Sequence, residues 1–69
     1  NKPMKCLNPD IALTLHEEVD GYYAVAVNYM NETADSEVSL ADGWKLEPVY
    51  GDFTAVEGCG MAVGKIVKK

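Results

Sequence analysis

The sequence has 69 residues, 48% of them hydrophobic, and its six lysines, absent arginine and eleven acidic residues give a formal net charge of −5. A chain of this length forms one small domain with little room for a deep catalytic cleft beside its core, which argues against a free-standing enzyme. An acidic chain without arginine is a poor candidate for nucleic-acid binding, and no apolar run approaches the roughly 20 residues of a membrane-spanning helix.

Residues 1–10 carry few strand signals. They begin with "NKPMK" and end in the turn signal Asn8-Pro9-Asp10, so we expect a linker or leading segment here, and we interpret the chain as an excised piece of a longer protein. Cys6 and Cys59 fit no metal-binding spacing. They leave two alternatives open, a disulfide between the first and last strands or two ordinary thiols.

Two strands are predicted over residues 11–30. "IALTL" at 11–15 alternates between apolar and smaller or polar residues, as a half-buried strand does. "YYAVAVNYM" at 22–30 is apolar on both faces, which predicts a central strand. We assign Tyr23, Val25, Val27 and Tyr29 to the domain core. The opposite face, with Tyr22, Ala24, Ala26 and Met30, is then a tentative interdomain contact through which an isolated fragment would also self-associate.

Four further strands are predicted at 36–40, 44–50, 53–56 and 61–67, separated by Gly-containing turns at short, regular intervals. Pro48 is typical of an edge strand or a bulge, because proline has no amide hydrogen to donate. The expected fold is an all-β, small antiparallel β-sandwich of about six strands with Greek-key-like connections. It would occupy residues 11–67 and leave 68–69 as a tail.

No residue pattern points to catalysis. His16 is the only histidine and stands beside Glu17 and Glu18 in a predicted hairpin, where solvent exposure explains it better than acid–base chemistry. The other acidic residues cluster at turns, and no nucleophile, phosphate-binding or metal motif is present. We therefore expect no catalytic, cofactor-binding or metal residues. Trp44 and Tyr50 are tentative sugar contacts, although packing in the core is the commoner role of aromatic residues in a small sandwich.

Three stretches carry a resemblance to a known family: "YYAVAVNYMNETADSEVSL", "GW" at 43–44 and "GMAVGKI" at 60–66. Together with the strand order they resemble the small C-terminal all-β domain of bacterial glycoside hydrolases, above all that of the family 42 β-galactosidases, and α-amylase-like enzymes end in a comparable domain. The resemblance covers about residues 11–67 and is a pattern of strands. Gly64 departs from it, since a large apolar residue is usual at that position.

The resemblance implies a non-catalytic accessory domain that stabilises or packs against the catalytic domain of a parent enzyme in bacterial carbohydrate metabolism. In that family the catalytic acid and nucleophile lie on a separate barrel, so no catalytic role transfers to a residue here. Two other functions stay open, a carbohydrate-binding module and a β repeat of a surface protein. The sequence leaves the parent's substrate and the compartment undetermined.

Overall fold

The computed structural model describes residues 2–69, and its regular structure consists entirely of β-strands. The strands are β1 (Met4–Cys6), β2 (Ile11–Glu18), β3 (Gly21–Asn28), β4 (Val38–Leu40), β5 (Trp44–Tyr50) and β6 (Met61–Lys68). They form a two-stranded sheet, β1-β4, and a four-stranded sheet in the order β2-β3-β6-β5, both antiparallel. The expected small all-β, sandwich-like domain of six strands is confirmed.

The four-stranded sheet is built around the pair β3 and β6. β2 and β3 form a hairpin in continuous register, from Ile11 opposite Asn28 to Glu18 opposite Gly21. β3 is central as expected, because β2 and β6 both pair with it.

The core lies on one face of this sheet, called here the inner face, and at its centre that face consists of small residues. In the register, Ala24 lies opposite Gly64 and Ala26 opposite Ala62, and all four residues are buried. Larger side chains from other parts of the chain join them in the core, among them Met4, Phe53 and Val56. The small residues let this covering layer approach the backbone of the central strands.

Which face of β3 is buried was predicted incorrectly. Ala24 and Ala26 are fully buried within the domain, whereas Val25 and Val27 lie on the opposite face and are only partly buried. Successive side chains of a strand point to opposite faces, so an error of one residue exchanges the entire set.

The sixth strand is not where it was expected. Residues 53–56 form a turn with one isolated bridge, Ala34 to Val56, instead of a strand. The sixth strand is instead β1, which lies inside the segment expected to be a linker. Its first residue, Met4, is 1% exposed and pairs with Leu40. The domain therefore includes residues from position 4 onward rather than from 11; Asn1, which began the expected linker, lies outside the described residues.

The interpretation of Pro48 as typical of an edge strand or a bulge is confirmed, because both features are present. β5 is an edge strand of the four-stranded sheet, and its register with β6 shifts between Pro48 and Tyr50. At the other end of the chain β6 extends to Lys68, and the Lys69 amide donates to the Gly43 carbonyl at 2.9 Å, so the expected two-residue tail is tied to the domain.

Both cysteines carry free thiols, which excludes the disulfide alternative in this structure. The Cys6 thiol is half-buried and donates to the Ser36 carbonyl at 2.9 Å. Cys59 is exposed in the turn before β6.

Candidate interaction surface

The four-stranded sheet has a second face, called here the outer face, which points away from the core. Cross-strand pairing arranges its residues in four rows. The rows are Ala12, Val27 and Met61; Thr14, Val25, Val63 and Tyr50; His16, Tyr23, Lys65 and Glu47; and Glu18, Gly21, Val67 and Lys45.

The middle of the outer face is apolar and uncovered. Val25 lies opposite Val63 and Val27 opposite Met61, so the two central strands present four aliphatic side chains side by side. Met61 is 45% exposed, and the two tyrosines beside these four side chains, Tyr50 and Tyr23, are 63% and 38% exposed. Both sheets of the domain share one core, and the two-stranded sheet contributes Met4 to it. No strand is left over among the described residues to cover the outer face.

The interdomain contact was expected elsewhere, at Tyr22, Ala24, Ala26 and Met30. Ala24 and Ala26 have no exposed surface with which to contact another body. Tyr22 is half-buried and meets the Trp44 ring edge-on, with ring centroids 5.7 Å apart. Met30 is 50% exposed but follows the end of β3. The expected contact is therefore wrong for its two alanines, which form the inner face, whereas contact through Tyr22 and Met30 stays a prediction.

Acidic residues accumulate at one end of the sheet, called here the acidic end. The β1–β2, β3–β4 and β5–β6 connections all lie there, because Ile11 pairs with Asn28, Val27 with Met61, and Tyr50 with Val63. These three connections contain no lysine. Their acidic residues are Asp10, Glu32, Asp35, Glu37, Asp52 and Glu57, six of the eleven in the chain.

An open cleft of about 430 Å³ lies where the acidic end meets the outer face. Tyr50 and Met61 belong to both the cleft and the outer face, and Asp52 and Glu57 add two carboxylates to the cleft lining. The amide and hydroxyl of Thr54 donate to Asp52 Oδ1 at 2.8 and 2.7 Å. The hydroxyl bond, followed by the amide bond, lowers the pKa of Asp52, so this carboxylate stays ionised at neutral pH.

The two residues expected to contact sugar, Trp44 and Tyr50, do not share a surface. They are the first and last residues of β5, about 20 Å apart along an extended strand. Trp44 packs at the core margin beside Tyr22, with the Lys68 ammonium 5.7 Å from its ring centroid. Tyr50 stands at the acidic end. The structure therefore gives these two aromatic residues no common platform for a sugar ring.

The remaining candidates for chemistry lie apart from one another. His16 is exposed on β2. Within residues 2–69, no three His, Cys, Asp or Glu side chains converge in a way that could hold a metal ion. Across the same residues, the structure has no helix that could span a membrane.

Comparison of the chain with protein-family models, with curated proteins and with solved structures found no match. The role of the outer face and of the cleft at the acidic end must therefore be inferred from the residues that form them. Sequence reasoning missed the cleft, and it expected an uncovered apolar face on β3 but assigned the wrong residues to that face. The available signal was the apolar residues at alternate positions, Val25 and Val27 in β3 and Met61 and Val63 in β6, which predict an apolar face without telling which side of the sheet it occupies.

Proposed function

We propose that this chain is a non-catalytic accessory domain that packs its outer face against a larger domain of the same polypeptide. The single observation that carries the proposal is the apolar middle of the outer face, where Val25, Val27 and Val63 are partly exposed and no other strand of the described residues covers them. An antiparallel sheet with one side in solvent normally has polar residues on that side. A contiguous apolar patch of this kind on a soluble domain marks an interaction site.

The size of the outer face favours a tethered partner over a second copy. Four strands about 4.8 Å apart and four rows about 6.8 Å apart give a footprint of about 520 Å². A standard interface between separate proteins buries about 800 Å² on each side. Contacts between domains of one chain begin at about 600 Å² in total, which two sides of this size exceed. A tether also removes much of the entropy cost of association.

The larger domain is, on this proposal, the catalytic domain of a glycoside hydrolase of the β-galactosidase type. The support is the resemblance of residues 11–67 to the C-terminal all-β domain of such enzymes. The alternative of a carbohydrate-binding module draws no support from Trp44 and Tyr50, which stand at opposite ends of β5.

The test is made on the polypeptide that the complete reading frame encodes. Tyr23→Glu places a carboxylate on the outer face, between His16 and Lys65, where the isolated domain accommodates it. Ser39→Glu on the exposed side of β4 adds the same charge away from that face. We expect Tyr23→Glu alone to detach the domain, seen as faster proteolytic release of this domain and a lower unfolding temperature of the whole protein.

Two results would contradict the proposal. One is a complete reading frame that encodes no second domain. The other is a full-length protein in which Tyr23→Glu and Ser39→Glu behave alike. Unfolding of both variants as isolated 69-residue domains controls for damage to the fold, and we expect each to remain within about 0.5 kcal/mol of the original sequence, as for most surface substitutions.

A further inference from the structure

We infer that the cleft at the acidic end receives a basic side chain, an arginine or lysine, from the surface that covers the outer face. This inference rests on the proposed function, because it specifies the chemistry of the docking partner. The partner surface would be apolar opposite the valines and would carry its basic side chain beside Tyr50.

The distribution of charge supports a basic partner. The three connections at the acidic end carry six carboxylates and no lysine. The ion pair between Lys45 and Glu47, at 3.5 Å, is made within β5, and the carboxylates of the acidic end form no ion pair within the described part of the chain. The negative potential there is therefore not neutralised by the domain itself, and it favours an approaching cation.

The shape and lining of the cleft agree with a cation carried on an aliphatic stem. Gly51, Ala55 and Gly60 have small or no side chains and leave the cleft open. Tyr50 offers an aromatic ring on which a guanidinium or ammonium group can stack, and Met61 offers apolar surface to the stem. Asp52 and Glu57 supply the carboxylates for charge-assisted hydrogen bonds. Both Thr54 bonds to Asp52 end on Oδ1, and no hydrogen bond to Oδ2 forms within the described part of the chain.

A second copy of this chain is a poorer occupant than a different basic surface. Each copy carries a net charge of −5, so two copies repel one another. Their common footprint of about 520 Å² is about two thirds of the roughly 800 Å² that a standard interface buries on each side.

The probe is N-acetyl-arginine amide, titrated into the isotope-labelled 69-residue domain while the backbone amides of Gly51 and Gly60 are followed by NMR. N-acetyl-citrulline amide, which has the same shape without the charge, is the matched control. We expect saturable shifts with arginine, at least about fivefold weaker binding of citrulline, and weakening of the arginine response at high salt.

Two variants locate the binding. Glu57→Gln removes one carboxylate of the cleft, whereas Glu18→Gln makes the same charge change in the β2–β3 hairpin, at the opposite end of the sheet. We expect Glu57→Gln to weaken arginine binding at least about threefold and Glu18→Gln to leave it unchanged within about 1.5-fold, since exposed charges further away than a Debye length are screened.

The outcomes separate this inference from the proposed function. Equal binding of arginine and citrulline, or equal effects of Glu57→Gln and Glu18→Gln, overturns the cleft inference while the Tyr23→Glu experiment still decides docking. A saturable response to galacto-oligosaccharides in place of arginine overturns it in favour of a sugar site. Shifts that depend on protein concentration without any probe overturn it in favour of a second copy. The two experiments can also disagree. If arginine binds at the cleft but Tyr23→Glu does not detach the domain in the full-length protein, the cleft is supported as a site for a basic side chain and only the docking function is overturned.

Discussion

At the scale of single residues, the core depends on Gly64 and Asn28, and we expect substitution of either residue to destabilise the domain. Gly64 is buried on the inner face of β6, and a Cβ atom there would lie 2.7 Å from Leu46 Cδ1 and 2.9 Å from Phe53 Cε1. Asn28 ends β3 with no exposed surface and all of its bonding groups in use. The side chains packed onto position 64 therefore explain why it is a glycine.

We expect Gly64→Ala to destabilise the domain by about 1–3 kcal/mol, because overpacking forces neighbouring side chains from their rotamers. Chemical denaturation measures the change. The double variant Leu46→Ala/Gly64→Ala lacks the Leu46 side chain, which is the nearest obstacle to a Cβ at position 64. In the Leu46→Ala background, Gly64→Ala should therefore destabilise the domain by at least about 0.5 kcal/mol less than in the original sequence, as for residues in contact. A single Gly64→Ala variant as stable as the original would show that the inner face is packed less tightly than described.

We expect Asn28→Ala to cost about 2–4 kcal/mol, since it removes three hydrogen bonds of a fully buried side chain. The Glu32 carbonyl and the Met30 amide lose these partners, whereas the Val56 carbonyl keeps its bond from the Ala34 amide. The Asn28 amide donates to the carbonyls of Glu32 and Val56 at 2.8 and 3.1 Å, and its oxygen accepts from the Met30 amide at 2.9 Å. Asn8 is the control, because its side chain makes two bonds to backbone groups at a site that is more exposed than that of Asn28. Asn8→Ala should cost about 1 kcal/mol or less, as for an exposed cap. Equal costs in urea titrations would contradict the role of Asn28 as a buried link.

At the scale of the element, β3 is apolar on both faces and has two different functions. Its even-numbered residues form part of the domain core, with Ala24 and Ala26 fully buried. Its odd-numbered residues, Tyr23, Val25 and Val27, form the middle of the outer face. The strand therefore needs small residues on its inner face, where Phe53 and other core residues pack. It carries larger residues on its outer face, which no other described strand covers.

The assignment of the two faces can be tested with adjacent residues. We expect Ala26→Val to destabilise the domain by about 1–3 kcal/mol through overpacking of the inner face. Val27→Ala removes two methyl groups from a partly exposed site, so it should cost about 1 kcal/mol or less. Thermal or urea unfolding of the two variants in parallel checks the ranking. A larger loss for Val27→Ala than for Ala26→Val would mean that Val27 belongs to the core after all.

At the scale of the whole molecule, the domain combines a complete small core with a surface suited to a tethered partner. Its charge of −5 keeps copies apart. Its outer face is too small for a standard stable dimer but large enough for contact between domains of one chain. The self-association expected through Ala24 and Ala26 has no surface to use, and Ala26→Lys would bury a charge in the core rather than break an interface.

We accordingly expect the isolated 69-residue chain to sediment as a monomer at about 0.1 mM in low salt, where charge repulsion is least screened. At high salt, where the repulsion is screened, any association that appears should be lost in Tyr23→Glu and retained in Ser39→Glu. A stable dimer in low salt that survives Tyr23→Glu would contradict this description of the outer face.

The sequence by itself determined the all-β class, the alternation of β2 and the irregular edge strand at Pro48, because each depends on local backbone preference. It also determined that β3 is central, since only a strand with neighbours on both sides tolerates such an apolar run. Only the tertiary structure decided which face of β3 is buried, because valines and alanines alternate with equal regularity and the choice depends on Met4, Phe53 and Val56, distant in the chain. The cleft likewise exists only after folding, when Tyr50, Asp52 and Glu57 are brought beside Met61 by the pairing of β5 with β6.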